Sequence, residues 1–188
     1  MNAIDNLLFI ALPYAALIIF FVGSIYRYRQ KGFQVSSLSS EFLERQSLFW
    51  GSVPFHFGLL FLFFGHLFAF LIPDTVLLWN QHPVRLFILE VSAFVFAIAV
   101  LIGLIQLIMR RLSRPRLKVV SNSMDLIIEF LLLLQTVTGI WIAYSFRWGS
   151  SWFATVLTPY LRSIFVFNPD IEAVSAMPWA VKLHIAGA

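Results

Sequence analysis

Four long apolar runs dominate the chain, from about Asn6 to Tyr26, Phe49 to Ile72, Val84 to Met109 and Asp125 to Phe146. Polar residues collect between the runs rather than alternating within them. Each run reaches the roughly 20 helical residues needed to cross a hydrocarbon core of about 30 Å, so each is predicted to be a transmembrane helix. A fifth helix is predicted over 178–188, opening at Pro178, because proline suits a first helical position where its missing N–H is no loss. Its roughly 11 residues are too few to cross, so the sequence is expected to end inside this helix. The expected fold class is all-α integral membrane: a five-helix transmembrane bundle with the fifth helix truncated, as one domain over residues 1–188.

Composition agrees. Of 188 residues, 60% are hydrophobic and 12% charged, against about 45–50% and 25% in a soluble domain, which excludes a soluble globular enzyme. The absence of cysteine excludes disulfides, thiolate metal sites, cysteine-held iron–sulfur clusters and covalently attached haem. Basic residues collect in two segments, Arg27, Arg29, Lys31 and Arg45 after the first run, and Arg110, Arg111, Arg114, Arg116 and Lys118 after the third. Alternating spans put both on one side, and the positive-inside rule makes that side cytoplasmic, with the N-terminus outside. The +4 net charge reflects this bias and gives no argument for nucleic acid. Residues 147–177 form one long aromatic connection on the outer side, expected to lie as an anchor among the headgroups.

The polar chemistry inside the spans is concentrated in histidine. His56 and His66 both fall in the second run, ten residues or about 15 Å of helix rise apart. One lies toward each leaflet, so they cannot share one ligand. Ionisable groups at that depth point to function. Haem b fits them, needing imidazole ligands, an apolar slot and no cysteine, whereas zinc asks for more ligands close together. His184, on the fifth helix, is the natural axial partner of His66 for an outer haem. His56 would hold an inner haem whose second axial ligand is missing from this sequence, because His82 sits in an outer loop. Gly51, Gly58 and Gly65 recur every seven residues, a strip suited equally to a macrocycle edge and to close helix packing. Haem propionates pair well with arginine, which makes Arg111 and Arg116 candidates at the inner face, although a topogenic basic loop has the same composition. Glu90 is a candidate proton acceptor or partner for Arg85, at a poor i, i+5 spacing. Asp125 is placed to cap the fourth helix.

Several motifs together resemble the gamma subunit of respiratory nitrate reductase, a membrane di-haem cytochrome b. They are Gly23-Ser24 with Arg27-Tyr28, Ser39-Ser40 with Leu43 and Arg45, Phe55-His56-x-Gly58, Gly65-His66, Arg110-Arg111-Leu112-x-x-Pro115-Arg116, Asp125 with Gln135 and Gly139, and Leu183-His184. The resemblance implies five helices in the cell inner membrane and two b haems. It implies that His66 and His184 hold the distal haem and His56 the proximal one. It implies oxidation of a quinol (menaquinol or ubiquinol) near Gly65 and His66, with electrons passed to a cytoplasmic iron–sulfur subunit and then a molybdenum catalytic subunit. The family has a lysine near the start of the third helix at the quinol site, where this sequence offers Arg85. Arginine keeps the charge but is not readily deprotonated. The rival readings are a cytochrome b of a heterodisulfide-reductase or sulfite-reduction complex, and a haem-free scaffold or transporter bundle.

Overall fold

In the computed structural model, residues 2–31 and 46–188 are described, and they are almost wholly helical. The chain begins with α1 (Ala3–Asn6), a π-helical turn (Leu7–Ala11) and α2 (Leu12–Lys31). It continues through α3 (Gln46–Leu71), α4 (Pro73–Asn80), α5 (Pro83–Ser113), α6 (Pro115–Val120) and α7 (Ser123–Ser145). It closes with α8 (Gly149–Trp152), a second π-helical turn (Phe153–Leu157), α9 (Thr158–Phe165), α10 (Glu172–Ser175) and α11 (Trp179–Gly187). Ser39, Ser40, Leu43 and Arg45 lie outside the described residues.

Among the described residues, four helical stretches are long and apolar enough to cross a membrane: Ala3–Gln30, Leu48–Leu71, Pro83–Ser113 and Ser123–Ser145. They correspond to the four predicted spans. The chain is a multi-pass membrane protein. The fifth predicted helix is present as α11, nine residues long, and does not meet that length.

Missing side chains explain the tightest packing. A Cβ on Gly103 would stand 2.6 Å from the Gly51 carbonyl oxygen and from the Phe55 nitrogen, and one on Gly58 would stand 2.7 Å from the Phe96 carbonyl oxygen. The backbones of α3 and α5 therefore touch along an antiparallel seam, as small residues allow in membranes. Leu104 and Val100 are buried in that seam beside Phe55. Helix α7 runs antiparallel to α5, tied at one end by Arg111 to Asp125 and Glu129 and at the other by Glu90 to Arg147. Helix α11 runs antiparallel to α7, because His184 meets Gly139 while Gly187 meets Gln135. It thus enters from the end opposite the basic segments. Residues 18–26 of α2 are exposed and mostly apolar, a surface suited to lipid.

The connection over 147–177 is more structured than a headgroup anchor. Trp148, Phe165 and Phe167 are exposed as an anchor requires, yet Tyr160, Ile164, Ile171 and Val174 are buried with Phe9 in a core at the end away from the basic segments. Thr158 Oγ1 donates to the Ala69 carbonyl at 3.1 Å, and Arg162 donates to the Phe70 carbonyl at 3.3 Å. These satisfy carbonyls that the end of α3 leaves without intrahelical donors. Asn80 Nδ2 lies 2.9 Å from both Ser150 Oγ and Ser151 Oγ, joining α4 to α8. The segment is a cap over the bundle.

Candidate functional site: three imidazoles on two helices

Helix α3 presents both of its histidines in one manner. The Nδ1 of His56 lies 2.7 Å from the Ser52 carbonyl oxygen and 3.0 Å from Ser52 Oγ, and the Nδ1 of His66 lies 2.7 Å from the Leu62 carbonyl oxygen. A carbonyl only accepts, so each Nδ1 donates its N–H, and in the neutral ring that leaves the lone pair on Nε2. Both imidazoles are exposed on the helix surface. This is the arrangement of a metal-binding histidine, whose second nitrogen is fixed by a backbone or side-chain acceptor.

His184 reaches the same condition from α11. Its Nδ1 lies 3.1 Å from Thr138 Oγ1, and its main-chain carbonyl accepts from Gln135 Nε2 at 2.7 Å. The ring lies against Gly139, where a Cβ would come 2.9 Å from His184 Cε1. Gly139 stands six residues from the end of α7, and His66 five residues from the end of α3, so both sit about 8–9 Å below the capped end. Phe153, in the second π-helical turn, meets His66 edge to face with ring centroids 5.3 Å apart. His56 stands ten residues toward the basic end. His82 is in the turn before α5 at the capped end, as expected, and far from His56.

The glycine strip divides. Gly51 and Gly58 are taken up by contact with α5, whereas nothing lies within 4 Å of a Cβ on Gly65. The position beside His66 opens onto space, and the one beside His56 belongs to helix packing. Among the described residues, no three His, Cys, Asp or Glu side chains gather as ligands for one ion. Separate imidazoles with free Nε2 atoms, apolar walls and an open glycine fit axial ligation of a haem.

The charged candidates resolve differently from the sequence expectation. Arg111 is held by Glu129 at 2.7 Å, Asp125 at 3.2 Å and Ser121 Oγ at 2.9 Å, so its Nε and one terminal nitrogen are engaged by groups of this chain. Asp125 caps α7 as expected, exchanging bonds with Asn122 in a capping box, and it also faces Arg111. Arg116 is exposed on α6. Glu90 pairs with Arg147 at 2.8 Å and accepts from the Trp148 N–H at 2.9 Å, not with Arg85, whose i, i+5 spacing is unsuitable. The second contact holds Trp148 in a left-handed conformation, φ 70°, a strain that a residue other than glycine keeps only when its surroundings enforce it. Arg85 lies over Trp79, 5.3 Å from the ring centroid.

One pair had no counterpart in the sequence reading. Lys182 Nζ on α11 lies 2.7 Å from Asp5 Oδ1 on α1, with both side chains largely buried. Separated by 177 positions, the two residues leave no local pattern that could have joined them.

Comparison with known proteins gives the family. The profile of the family described as nitrate reductase gamma subunit matches residues 5–188. The chain is 34% identical to the nitrate reductase gamma chain of Bacillus subtilis over 93% of its own length and 79% of that protein's. It is 30% identical to the respiratory nitrate reductase 2 gamma chain of Escherichia coli, over 92% and 78% of the two lengths. A nitrate reductase-like protein of Mycobacterium tuberculosis is 27% identical over 98% of this chain and 29% of its own. With four membrane-spanning helices and a match running from the first helix to the last, the chain belongs to the nitrate reductase gamma subunit family and is a membrane subunit of a respiratory nitrate reductase.

Proposed function

We propose that this subunit oxidises quinol at the membrane and carries the electrons through two b haems toward the iron–sulfur and molybdenum subunits of the complex. Haem b supplies one-electron carriage between a two-electron quinol and single-electron centres. The observation that carries the reading is the common state of His56, His66 and His184: each Nδ1 is held by an acceptor and each Nε2 is free.

His66 and His184 would hold the outer haem from α3 and α11, and His56 the inner one. The positive-inside rule puts the capped end and the N-terminus outside and the basic segments at the cytoplasmic face of the inner membrane. Gly65 leaves room beside His66, Phe153 walls that space, and the Arg85 guanidinium, steadied on Trp79, orients a quinol oxygen at the same end. Protons from the quinol leave on the outer side. Arg116 is the exposed basic candidate for a propionate at the inner side, because Arg111 is engaged by Asp125 and Glu129.

A dithionite-reduced minus oxidised spectrum with a pyridine haemochrome count on the purified complex tests this. Two b haems are expected, with His66→Ala and His184→Ala each removing the same one and His56→Ala the other. A folded complex without haem b, or a His66→Ala variant that keeps its quinol-reducible outer haem, overturns it.

A further inference from the structure

We propose that Thr138 is a positioning residue that sets the electron donation of His184 to the outer haem, and with it that haem's potential. This rests on the reading of His66 and His184 as axial ligands.

The argument starts from an asymmetry among the three imidazoles. His56 and His66 each have a backbone carbonyl 2.7 Å from Nδ1, four residues back on their own helix. His184 instead meets a side-chain hydroxyl on a neighbouring helix, Thr138 Oγ1 at 3.1 Å. That oxygen also lies 2.9 Å from the Leu134 carbonyl oxygen and 3.0 Å from that of Gln135. A hydroxyl has one proton and two lone pairs. The two carbonyls can only accept, so the proton points to them and a lone pair faces His184. The imidazole must then donate from Nδ1, which leaves Nε2 for iron.

Gln135, Thr138 and Gly139 lie at i, i+3 and i+4 on one face of α7. They meet three parts of a single residue: the His184 carbonyl, its Nδ1 and the Cε1 side of its ring. Gln135 fixes the main chain and Gly139 gives the ring its room. Thr138 alone acts on the electrons of the ring, because an acceptor on the remote N–H makes the ligating nitrogen a better donor. A better donor favours ferric iron and lowers the potential. The corresponding acceptors for His56 and His66 include main-chain atoms, which substitution leaves in place. The outer haem therefore has a tuning group that one substitution removes.

The test uses the intact membrane complex and potentiometric titration of both b haems, with low-spin electron paramagnetic resonance and a haem count as controls. Thr138→Val keeps the shape and deletes the hydroxyl. Thr138→Ser keeps the hydroxyl and deletes the methyl. Thr138→Cys offers a weaker acceptor. The expected result is a positive shift of the outer midpoint and a moved outer low-spin signal in Thr138→Val. A smaller shift is expected in Thr138→Cys, none in Thr138→Ser, and none in the inner haem of any variant. Should Thr138→Val release the outer haem, the ordering of Thr, Ser and Cys still decides. Wild-type potentials in Thr138→Val and Thr138→Cys, or equal shifts in Ser and Val, overturn the inference and leave the cytochrome reading intact. A wild-type complex without haem b overturns both.

Discussion

Lys182 on the last helix and Asp5 on the first are bound as an ion pair at 2.7 Å, largely out of contact with solvent. Lys182 also lies over Trp179, 5.6 Å from the ring centroid. Removing one member of a buried pair leaves the other charge uncompensated, at a cost of about 3–5 kcal/mol. Lys182→Met is expected to lower the thermal midpoint of the detergent-solubilised protein clearly, and adding Asp5→Leu is expected to recover most of the loss. Wild-type stability in Lys182→Met would show that the pair contributes nothing.

Gly58 and Gly65 are expected to fail in opposite ways. An added methyl at Gly58 strikes the Phe96 backbone oxygen and Val100 at 2.7 Å, so Gly58→Ala should cost about 1–3 kcal/mol through overpacking. Gly65→Ala meets no protein atom within 4 Å and should leave thermal stability unchanged while lowering outer-haem content. Full haem content in Gly65→Ala would remove that glycine from the haem edge.

Arg85→Ala is expected to leave both haems in place and raise the KM for quinol about tenfold, equivalent to about 1.4 kcal/mol. Loss of its contact with Trp79 should change stability by only about 0.5–1 kcal/mol. Steady-state quinol oxidation on membranes measures the first quantity. Unchanged kinetics would take Arg85 out of the site.

Burial, reinforced by Tyr14 nearby, pushes the Tyr160 hydroxyl up to about 12. Below pH 10 the folded and unfolded chains both keep this proton. Between about 10 and about 12 the unfolded chain releases it and the folded chain does not, so stability falls with rising pH across that window, by roughly 3 kcal/mol. Limited proteolysis of residues 147–177 should report the loosening. Tyr160→Phe, which also forfeits a 2.9 Å bond to the Phe9 carbonyl at about 1 kcal/mol, should flatten the pH dependence. A slope identical to wild type would assign it to another group.

The long spans were legible because a bilayer demands many consecutive apolar residues, and hydropathy alone finds them. The histidines were legible as chemistry because so little else in their helices is polar. What surrounds them was not. Thr138 in an apolar helix reads as a residue bonding its own backbone, which it does, and nothing local says that it also faces His184. Gln135 and Gly139 stood out only as fragments of a resemblance, and contact with α11 gives them their work. The nearest arginine to Glu90 in sequence is Arg85, while its partner Arg147 lies 57 residues away. The short helices of the cap leave only an aromatic stretch in the sequence, since helices of four to eight residues carry little periodicity.

Helix α3 carries His56 and His66 on one unbroken rod, with Pro54 before both of them. The gap between the two levels is therefore written into the covalent chain at about 15 Å, and tilting or sliding of neighbouring helices moves both ends together. The grip at the outer level is different in kind, because it closes between α3 and a separate helix. On the proposed reading, breathing of the bundle would loosen the His184 side of that grip while the spacing of His56 and His66 along α3 stays fixed, so binding and conduction would respond to different motions of the same molecule.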